Sequence, residues 1–320
     1  MTGMNASAGR ATVSVLLPVY NGARFVSRAI ESVLGQTYQK VELVIVNDGS
    51  QDNSAEVIRP YLRDERVKYI EQVNRGVAAA RNRALREATG EFVGLIDQDD
   101  VWLPDKLNRQ VPVFMARPEV ALVHCDALAI DKDDRFIAAT PWGPRPEEVP
   151  GFVQLFVGNP VRACTALFRR EAAVSAGGFD TSAAVNFADE YDLWLRIARS
   201  HEVAYIDSPL AYYRLHDANN SADKAVMVLA TLAVLRKTLR DQPEAEVRVG
   251  RTRVRERLAR LYLTLYRARR RESRPDLAIA AWLTAFWHSP RHAVWLSLSQ
   301  RERNRFDWYR TRIARLLRGH

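Results

Sequence analysis

Apolar and polar positions follow two different periods along the first 130 residues of the chain. Compact apolar runs of the kind found in buried parallel strands occupy residues 13–18, 41–47, 66–71, 91–97 and 120–126. Segments with helical spacing of their apolar residues lie between these runs, at 23–35, 53–63, 77–89 and 104–115. Because strands and helices alternate, the pattern predicts an α/β fold with a Rossmann-like, doubly wound, mostly parallel sheet.

The pattern changes character twice after this region. Residues 127–160 contain five prolines and predict a loop-rich insertion, and strand-like runs at 161–168 and 203–213 flank a predicted helix at 190–199. The remaining predicted segments are all helical, at 222–240, 246–271, 275–288 and 304–317. We therefore expect an α/β domain at 1–220 and an all-helical C-terminal region at 221–320.

Charge separates the two predicted domains. Residues 221–320 hold 23 Lys and Arg against 9 Asp and Glu, a balance of +14, whereas residues 1–220 hold 24 against 29, a balance of −5. The C-terminal segments interleave arginine with aromatic and aliphatic residues, a combination that favours peripheral contact with an anionic membrane. A helical cover over the first domain and a homodimer interface are the alternatives. We expect no nucleic-acid partner, because the first domain is acidic and no recognition motif is present.

Several features bear on where the protein works. Cys125 and Cys164 lie in apolar runs without CxxC spacing, which is typical of reduced thiols in the cytosol. The first 12 residues lack the apolar segment of a secretory signal. The longest uncharged stretches, 277–290 and 149–161, have 14 and 13 residues, whereas a spanning helix requires about 20. We expect a cytoplasmic protein, with any membrane contact confined to the inner face of the cell membrane.

Three of the predicted strands end in polar, loop-forming segments. The first ends in Pro18 to Gly22, the second in Asn47 to Ser50 and the fourth in Asp97 to Asp100. In a doubly wound sheet, ligands bind at the carboxyl ends of the strands. We therefore expect a binding site at this edge of the sheet.

The run Asp97-Gln98-Asp99-Asp100 places three carboxylates within four residues. Such groups repel one another unless a cation or several donors offset their charge. Their hard oxygen ligands suit Mn²⁺ or Mg²⁺ that bridges a diphosphate. A solvated acidic turn or a helix cap is the alternative interpretation.

Two other polar groups lie at predicted helix starts. Gly76 opens a helix that carries Arg81, and a glycine-containing helix start with an arginine one turn later can bind a diphosphate. Asp189 and Glu190 begin another helix, where the helix dipole favours acidic residues, so capping alone also explains them.

Taken together, these segments resemble glycosyltransferase family 2, whose members have the GT-A fold. The matching motifs occur in order over about 205 residues and comprise 13–21, 46–50, 74–76, 81–82, 90–92, 97–107, 177–180, 189–196 and 213–216. The resemblance implies an inverting, metal-dependent transfer of a sugar from a nucleotide-diphosphate donor, expected to be a UDP-sugar, to a hydroxyl of a glycan or lipid-linked acceptor. It further implies a nucleotide-sugar half at about 12–126, an acceptor half at about 127–220, and a place in bacterial surface polysaccharide or glycolipid assembly.

The resemblance also implies roles for individual residues in donor binding. The nucleotide-sugar positions that it implies are Pro18, Tyr20, Asn21, Asp48, Gly76, Arg81, Asp97 and Asp100. Asp48 would accept from the base, Arg81 would lie near the diphosphate, and Asp100 would support the site or contact the sugar. Asp97 and Asp99 would form the metal-binding DxD, and His216 would face the diphosphate or complete the metal shell.

The catalytic base is implied by the second acidic group. The family pattern usually reads Glu-Asp before Tyr-Asp-Leu-Trp-Leu-Arg, with the Asp as base, whereas this chain has Asp189-Glu190. The reversed order aligns Glu190 with the base and leaves Asp189 as the alternative. A retaining transferase on the same fold and a non-catalytic nucleotide-sugar or glycan-binding module are the competing functions. The motif Gln-x-x-Arg-Trp of processive synthases is absent from the sequence, so we expect one sugar to be added per encounter.

Overall fold

The computed structural model of the chain describes residues 12–140, 151–185, 187–216 and 223–297. These residues belong to two compact units, and the second begins at Asp223. The first unit is built around one sheet, and the second consists of helices.

Four predicted strands form the parallel half of the sheet. They are β1 (Val13–Val19), β2 (Val41–Asn47), β3 (Val67–Glu71) and β4 (Phe92–Leu95). They lie side by side in the order β3-β2-β1-β4, and all three pairings are parallel. Every residue of β1 and β4 is buried, which explains why these strands have continuous apolar runs rather than alternating ones.

The other half of the sheet mixes directions. Its strands are β5 (Val101–Trp102), β6 (Val120–Ile130), β7 (Phe136–Thr140), β8 (Leu167–Arg169) and β9 (Glu202–Arg214). The short strand β8 lies antiparallel between β4 and β6, so the apolar run at 120–126 does not pair with β4. β9 pairs parallel with β6 and antiparallel with β5.

Seven helices accompany the strands in the described part of the first unit. They are α1 (Val26–Leu34), α2 (Ser54–Ile58), α3 (Val77–Glu87), α4 (Lys106–Ala116), α5 (Gly151–Val157), α6 (Arg170–Ser175) and α7 (Asp189–Ala198). α3 packs on β1 and β2, and α4 packs on β6 and β9. Both cysteines are buried and free, as expected.

The predicted loop at 127–160 is wrong in part. β6 continues to Ile130 and turns back as β7, because the Asp131 carboxylate accepts the backbone N–H groups of Asp133 and Arg135 at 2.8 and 2.9 Å and closes the turn. α5 occupies the end of the same region. The prolines at 141–150 lie outside the described residues.

Two further predictions in the first unit need correction. The helix predicted at 53–63 ends at Ile58 and continues as a 3-10 helix, Arg59–Arg63, because Pro60 has no N–H to donate to an α-helical bond. The strand predicted at 161–168 starts only at Leu167, after a 3-10 turn at Ala163–Thr165.

The second unit consists of five described helices. They are α8 (Lys224–Asp241), α9 (Glu244–Val249), α10 (Arg251–Arg271), α11 (Pro275–His288) and α12 (Pro290–Ser297). The helix predicted at 246–271 is broken at Gly250, whose φ of 90° favours glycine and interrupts the helical path. α12 was not predicted, and the segment 304–317 lies outside the described residues. Across the described ranges, no helix combines the length and the apolar character required to cross a bilayer.

Candidate functional site

The loops that follow β1, β2 and β4 are joined to one another by side-chain hydrogen bonds. The Asn21 N–H donates to Ser50 Oγ at 3.0 Å, and the Gln51 N–H donates to Asn21 Oδ1 at 2.8 Å. Gln98 accepts from the Tyr20 N–H at 2.8 Å and donates to the Tyr20 carbonyl at 3.1 Å. The structure thus brings the three predicted strand ends together at one edge of the sheet. The contact of Gln98, the middle residue of the DxD, with Tyr20 was not predicted from the sequence.

Asp48 holds the turn that leads into α3. Its buried carboxylate accepts from Gln72 Nε2 at 2.7 Å and from the N–H groups of Arg75 and Gly76 at 2.9 and 2.8 Å. Gly76 has a φ of 86°, and its Cα faces open space among the described residues. Asp48 therefore fixes the conformation of this glycine-containing helix start.

The other positions predicted for the nucleoside differ in their access to solvent. Tyr20 is exposed at the edge of the sheet, whereas Pro18 is buried inside β1 and pairs with Val46 of β2. Pro18 thus shapes the end of the strand, while the Tyr20 ring is open to a ligand.

Arg81 joins three carboxylates from two distant parts of the chain. Its buried guanidinium donates through Nη2 to Asp97 at 2.8 Å. Nη1 donates to Asp189 at 2.9 Å and to Glu190 at 3.1 Å. The structure thus places the predicted diphosphate residue between the first Asp of the DxD and the two candidate bases.

The two candidate bases differ in their access to solvent. The Asp189 side chain is 0% exposed and that of Glu190 is 21% exposed. The pKa of Glu190 is raised to about 7, because burial and the charges of Asp189 and Asp97 together raise it by more than Arg81 lowers it. Glu190 is therefore the acid that both contacts Arg81 and reaches open space, with a pKa suited to a base near neutral pH.

Asp99 pairs with the histidine at the end of β9. His216 Nε2 lies 2.9 Å from Asp99 Oδ2, and the His216 ring packs on Phe25 with 5.0 Å between centroids. Burial and the charge of Asp97 raise the pKa of Asp99, while His216 lowers it. The structure thus places His216 beside the DxD, through a contact that spans 117 residues of sequence.

The donors at this position fit a divalent cation that arrives with its own oxygen ligands. The two carboxylates suit Mn²⁺ or Mg²⁺, and a cation would offset the charge of Asp97, which adds to the effect of burial in raising the pKa of Asp99. Among the described residues, however, no three His, Cys, Asp or Glu side chains form a ready metal site. A diphosphate would have to complete the shell.

Asp100 is buried behind the DxD, where it bonds to Arg214. Its Oδ1 accepts the Arg214 N–H at 3.0 Å, and burial raises the pKa of this carboxyl well above its usual range. The burial of Asp100 favours the predicted supporting role over the alternative of a sugar contact.

Arg214 is a site residue to which sequence analysis gave no role, although it lies in the quoted segment 213–216. Its buried guanidinium donates to the Asp99 carbonyl at 2.7 Å and to the Asp131 carbonyl at 2.9 Å, and it lies 2.6 Å from the Asp134 carboxylate. Arg214 thus ties the DxD turn to the β6–β7 turn.

Comparison with known proteins agrees with this fold. The profile of glycosyl transferase family 2 matches residues 14–176, half of the chain. An uncharacterized glycosyltransferase of Nostoc sp. is 37% identical over 219 residues, which are 67% of this chain and 67% of the relative. One of Rickettsia typhi is 29% identical over 213 residues, 65% of each chain. About a third of each relative thus lies outside the match.

Solved structures with the same fold include a mannosyltransferase and S. aureus TarS. A mannosyltransferase from Pyrobaculum calidifontis, in complex with GDP-mannose and Mn²⁺, has a TM-score of 0.62 at 23% identity, over 87% of this chain and 76% of that one. S. aureus TarS 1–349, in complex with UDP-GlcNAc, has a TM-score of 0.57 at 16% identity, over 87% and 92%. These likenesses confirm the predicted fold class, and the sequence matches establish the family. The chain belongs to glycosyl transferase family 2.

Proposed function

We propose that the protein is an inverting glycosyltransferase that moves a sugar from a nucleotide-diphosphate donor to an acceptor hydroxyl. The main support for this proposal is that the Arg81 guanidinium donates hydrogen bonds to both Asp97 of the DxD and Glu190. The group that would bind the donor phosphates and the group that would accept the proton therefore lie side by side. Inverting transfer by a single displacement requires a base and a departing diphosphate on opposite faces of one sugar, so the groups that serve them must be close enough to act on the same donor.

On the donor side, Tyr20, Asn21 and the open helix start at Gly76 would bind a nucleotide diphosphate, with UDP as the proposed nucleotide. Asp97, Asp99 and His216 would hold Mn²⁺ or Mg²⁺. When bound, such a cation would neutralise charge on the departing diphosphate. The solved relatives that bind GDP-mannose and UDP-GlcNAc support a hexosyl or N-acetylhexosaminyl donor.

On the acceptor side, Glu190 would take the proton of the attacking hydroxyl. Its carboxylate is exposed enough to meet an acceptor, and Arg81 orients it at 3.1 Å. Asp189 is fully buried against the same guanidinium, so we assign it to positioning Arg81 rather than to proton transfer.

The two units would have different functions. We assign catalysis to residues 1–220, with donor binding at about 12–126 and acceptor binding at about 127–220. The acceptor would be a glycan or lipid-linked sugar of a bacterial surface polysaccharide or glycolipid. The basic region 221–320 would contact the inner face of the cell membrane, and a homodimer is its alternative use.

A panel of sugar nucleotides with Mn²⁺ or Mg²⁺ tests this function through nucleotide release. We expect metal-dependent release of UDP from one UDP-sugar, and nuclear magnetic resonance should show an inverted anomeric configuration in the product. Retention of configuration would show a retaining transferase instead. Nucleotide binding without release from any donor would show a non-catalytic binding module.

A further inference from the structure

Helix α11 has its small side chains inward and its large apolar side chains outward. Its buried residues are all alanines, Ala278, Ala281 and Ala285. The helix packs against α10 and α12, so a seam of small residues is enough to hold it there. A helix of a water-soluble protein usually buries its larger apolar residues instead.

The large residues of α11 form one exposed stripe, here named the α11 apolar face. It consists of Ile279, Leu283, Phe286 and Trp287, which are 41% to 85% exposed. Their spacing of four, three and one positions places them on one side of the helix. No Asp, Glu, Lys or Arg occurs between residues 277 and 290. A contiguous apolar patch of this kind marks an interaction surface.

Cationic side chains lie beside the C-terminal end of this face. The His288 ring, next to Trp287 in sequence, stacks on Tyr262 of α10 with 5.7 Å between centroids. The Arg236 guanidinium lies 5.8 Å from the Tyr262 ring. Burial lowers the pKa of His288, and the charges of Arg236 and Arg255 lower it further, so both arginines are close to this helix end.

The unit as a whole carries the same sign of charge. Residues 223–297 hold 16 Lys and Arg against 7 Asp and Glu, a balance of +9. An apolar stripe that includes tryptophan, with arginines near one end of its helix, combines two attractions that hold a protein on an anionic bilayer. They are apolar burial at the headgroups and attraction to lipid phosphates.

We propose that the α11 apolar face docks on an anionic lipid surface, with Phe286 and Trp287 among the headgroups and Arg236 and Arg255 near the lipid phosphates. A second copy of the chain fits less well, because a two-fold interface would bring the same cations of both copies together. This inference deepens the proposed membrane contact by naming its surface, and it does not depend on the transfer chemistry of the first unit.

Sedimentation with vesicles tests the proposal on the full chain. The protein should bind phosphatidylcholine vesicles that contain phosphatidylglycerol far more tightly than phosphatidylcholine alone, and added salt should weaken binding. The double variant Leu283→Ser, Trp287→Ser should bind about tenfold more weakly or worse. Val247→Ser on α9 is the matched control, because Val247 and Trp287 are both 85% exposed. The control should bind as the unchanged chain does.

Three results would overturn the proposal. They are unchanged vesicle binding by the double variant, equal binding to both kinds of vesicle, and a dimer in sedimentation equilibrium that the double variant dissociates while no vesicle binds. Donor hydrolysis without vesicles serves as a separate readout. It should be the same in all variants, so a failure of vesicle binding is distinguishable from a failure of the proposed transferase function.

Discussion

The Arg81 guanidinium lies 3.1 Å from the Glu190 carboxylate, although 109 positions separate the two residues in sequence. The same guanidinium contacts Asp97 and Asp189. A single buried cation thus sets the relative position of the first Asp of the DxD and the proposed base. Removing it should disturb both folding and transfer.

Replacing Arg81 by Met should destabilise the protein, because the buried Asp189 would lose its cation. We expect the free energy of unfolding in urea to fall by about 3–5 kcal/mol, the usual loss when one partner of a buried ion pair is removed. Arg83→Met is the matched control on the same helix, since Arg83 forms a solvent-exposed pair with Glu87. It should cost about 1 kcal/mol or less. Equal losses in the two variants would contradict the structural role of Arg81.

Glu190→Gln should lower the rate of sugar transfer by about 10²–10⁴-fold, the usual contribution of a general base. The amide keeps the size of the side chain but cannot accept the proton, so affinity for the nucleotide should change little. Asp189→Asn is the comparison variant, and it should lower stability more than it lowers the rate per folded molecule. If Asp189→Asn is inactive while Glu190→Gln turns over normally, Asp189 is the base.

The pH dependence of transfer should reflect the raised pKa of Glu190. A base must be ionised, so kcat should rise with pH and level off above a midpoint at or below about 7. Bound metal would move this midpoint down, because positive charge favours the carboxylate. Glu190→Gln should show no such rise. The stability of the fold should show the opposite trend with pH. The Glu190 carboxyl ionises at a lower pH in the unfolded chain than in the folded protein, so its contribution to the free energy of unfolding is lost as pH rises towards 7.

Metal and nucleotide should bind together, because Asp97, Asp99 and His216 require diphosphate oxygens to complete a cation's shell. UDP with Mn²⁺ should raise the melting temperature by more than the sum of the two separate shifts. Asp99→Asn should stay folded and lose this synergy. The same synergy in the variant and the unchanged chain would remove Asp99 from the metal site.

Parallel strands such as β1 and β4 were predictable because complete burial of a strand requires a continuous apolar run in the local sequence. The two-residue β5 and the three-residue β8 are too short to show any period. Pairing of β8 between β4 and β6 depends on contacts between distant segments, which no local pattern encodes. The break at Gly250 was missed because a single glycine inside a helical pattern is often tolerated.

The candidate site was predictable to a similar degree. The resemblance named the acidic run and the helix that carries Arg81, and the topology of a parallel sheet predicted that strand ends would meet. The partners of each carboxylate were not predictable from spacing, since Arg81 contacts Asp189 across 108 positions and Arg214 contacts Asp100 across 114. Gln98 lies inside the DxD itself, but only the structure shows that it holds the Tyr20 backbone.

The position of Asp100 predicts different outcomes for two substitutions at one residue. Asp100 is buried with a raised pKa, and its Oδ1 accepts the Arg214 N–H. Asp100→Asn keeps that acceptor oxygen, and the raised pKa already favours an uncharged side chain at this position. The synergy between Mn²⁺ and UDP should therefore survive in this variant. Asp100→Ala removes the acceptor of the buried Arg214 N–H, a loss of about 1–3 kcal/mol. Because this hydrogen bond joins Arg214 to the turn that carries Asp99, its loss should also disturb that turn.

We therefore expect Asp100→Ala to lower the melting temperature and to weaken metal-dependent nucleotide binding, with both effects measured by thermal shift. Cys164→Ala is the control, because it deletes a buried side chain beside Asp100 and leaves the hydrogen bond to Arg214 in place. It should lower stability without removing the synergy. If Asp100 contacts the sugar, the Asn and Ala variants should both raise the KM for the donor. The melting temperature of the unliganded Asn variant should then stay the same. If only Asp100→Ala weakens metal-dependent nucleotide binding, Asp100 positions the DxD turn. If both variants impair use of the donor, Asp100 contacts the donor.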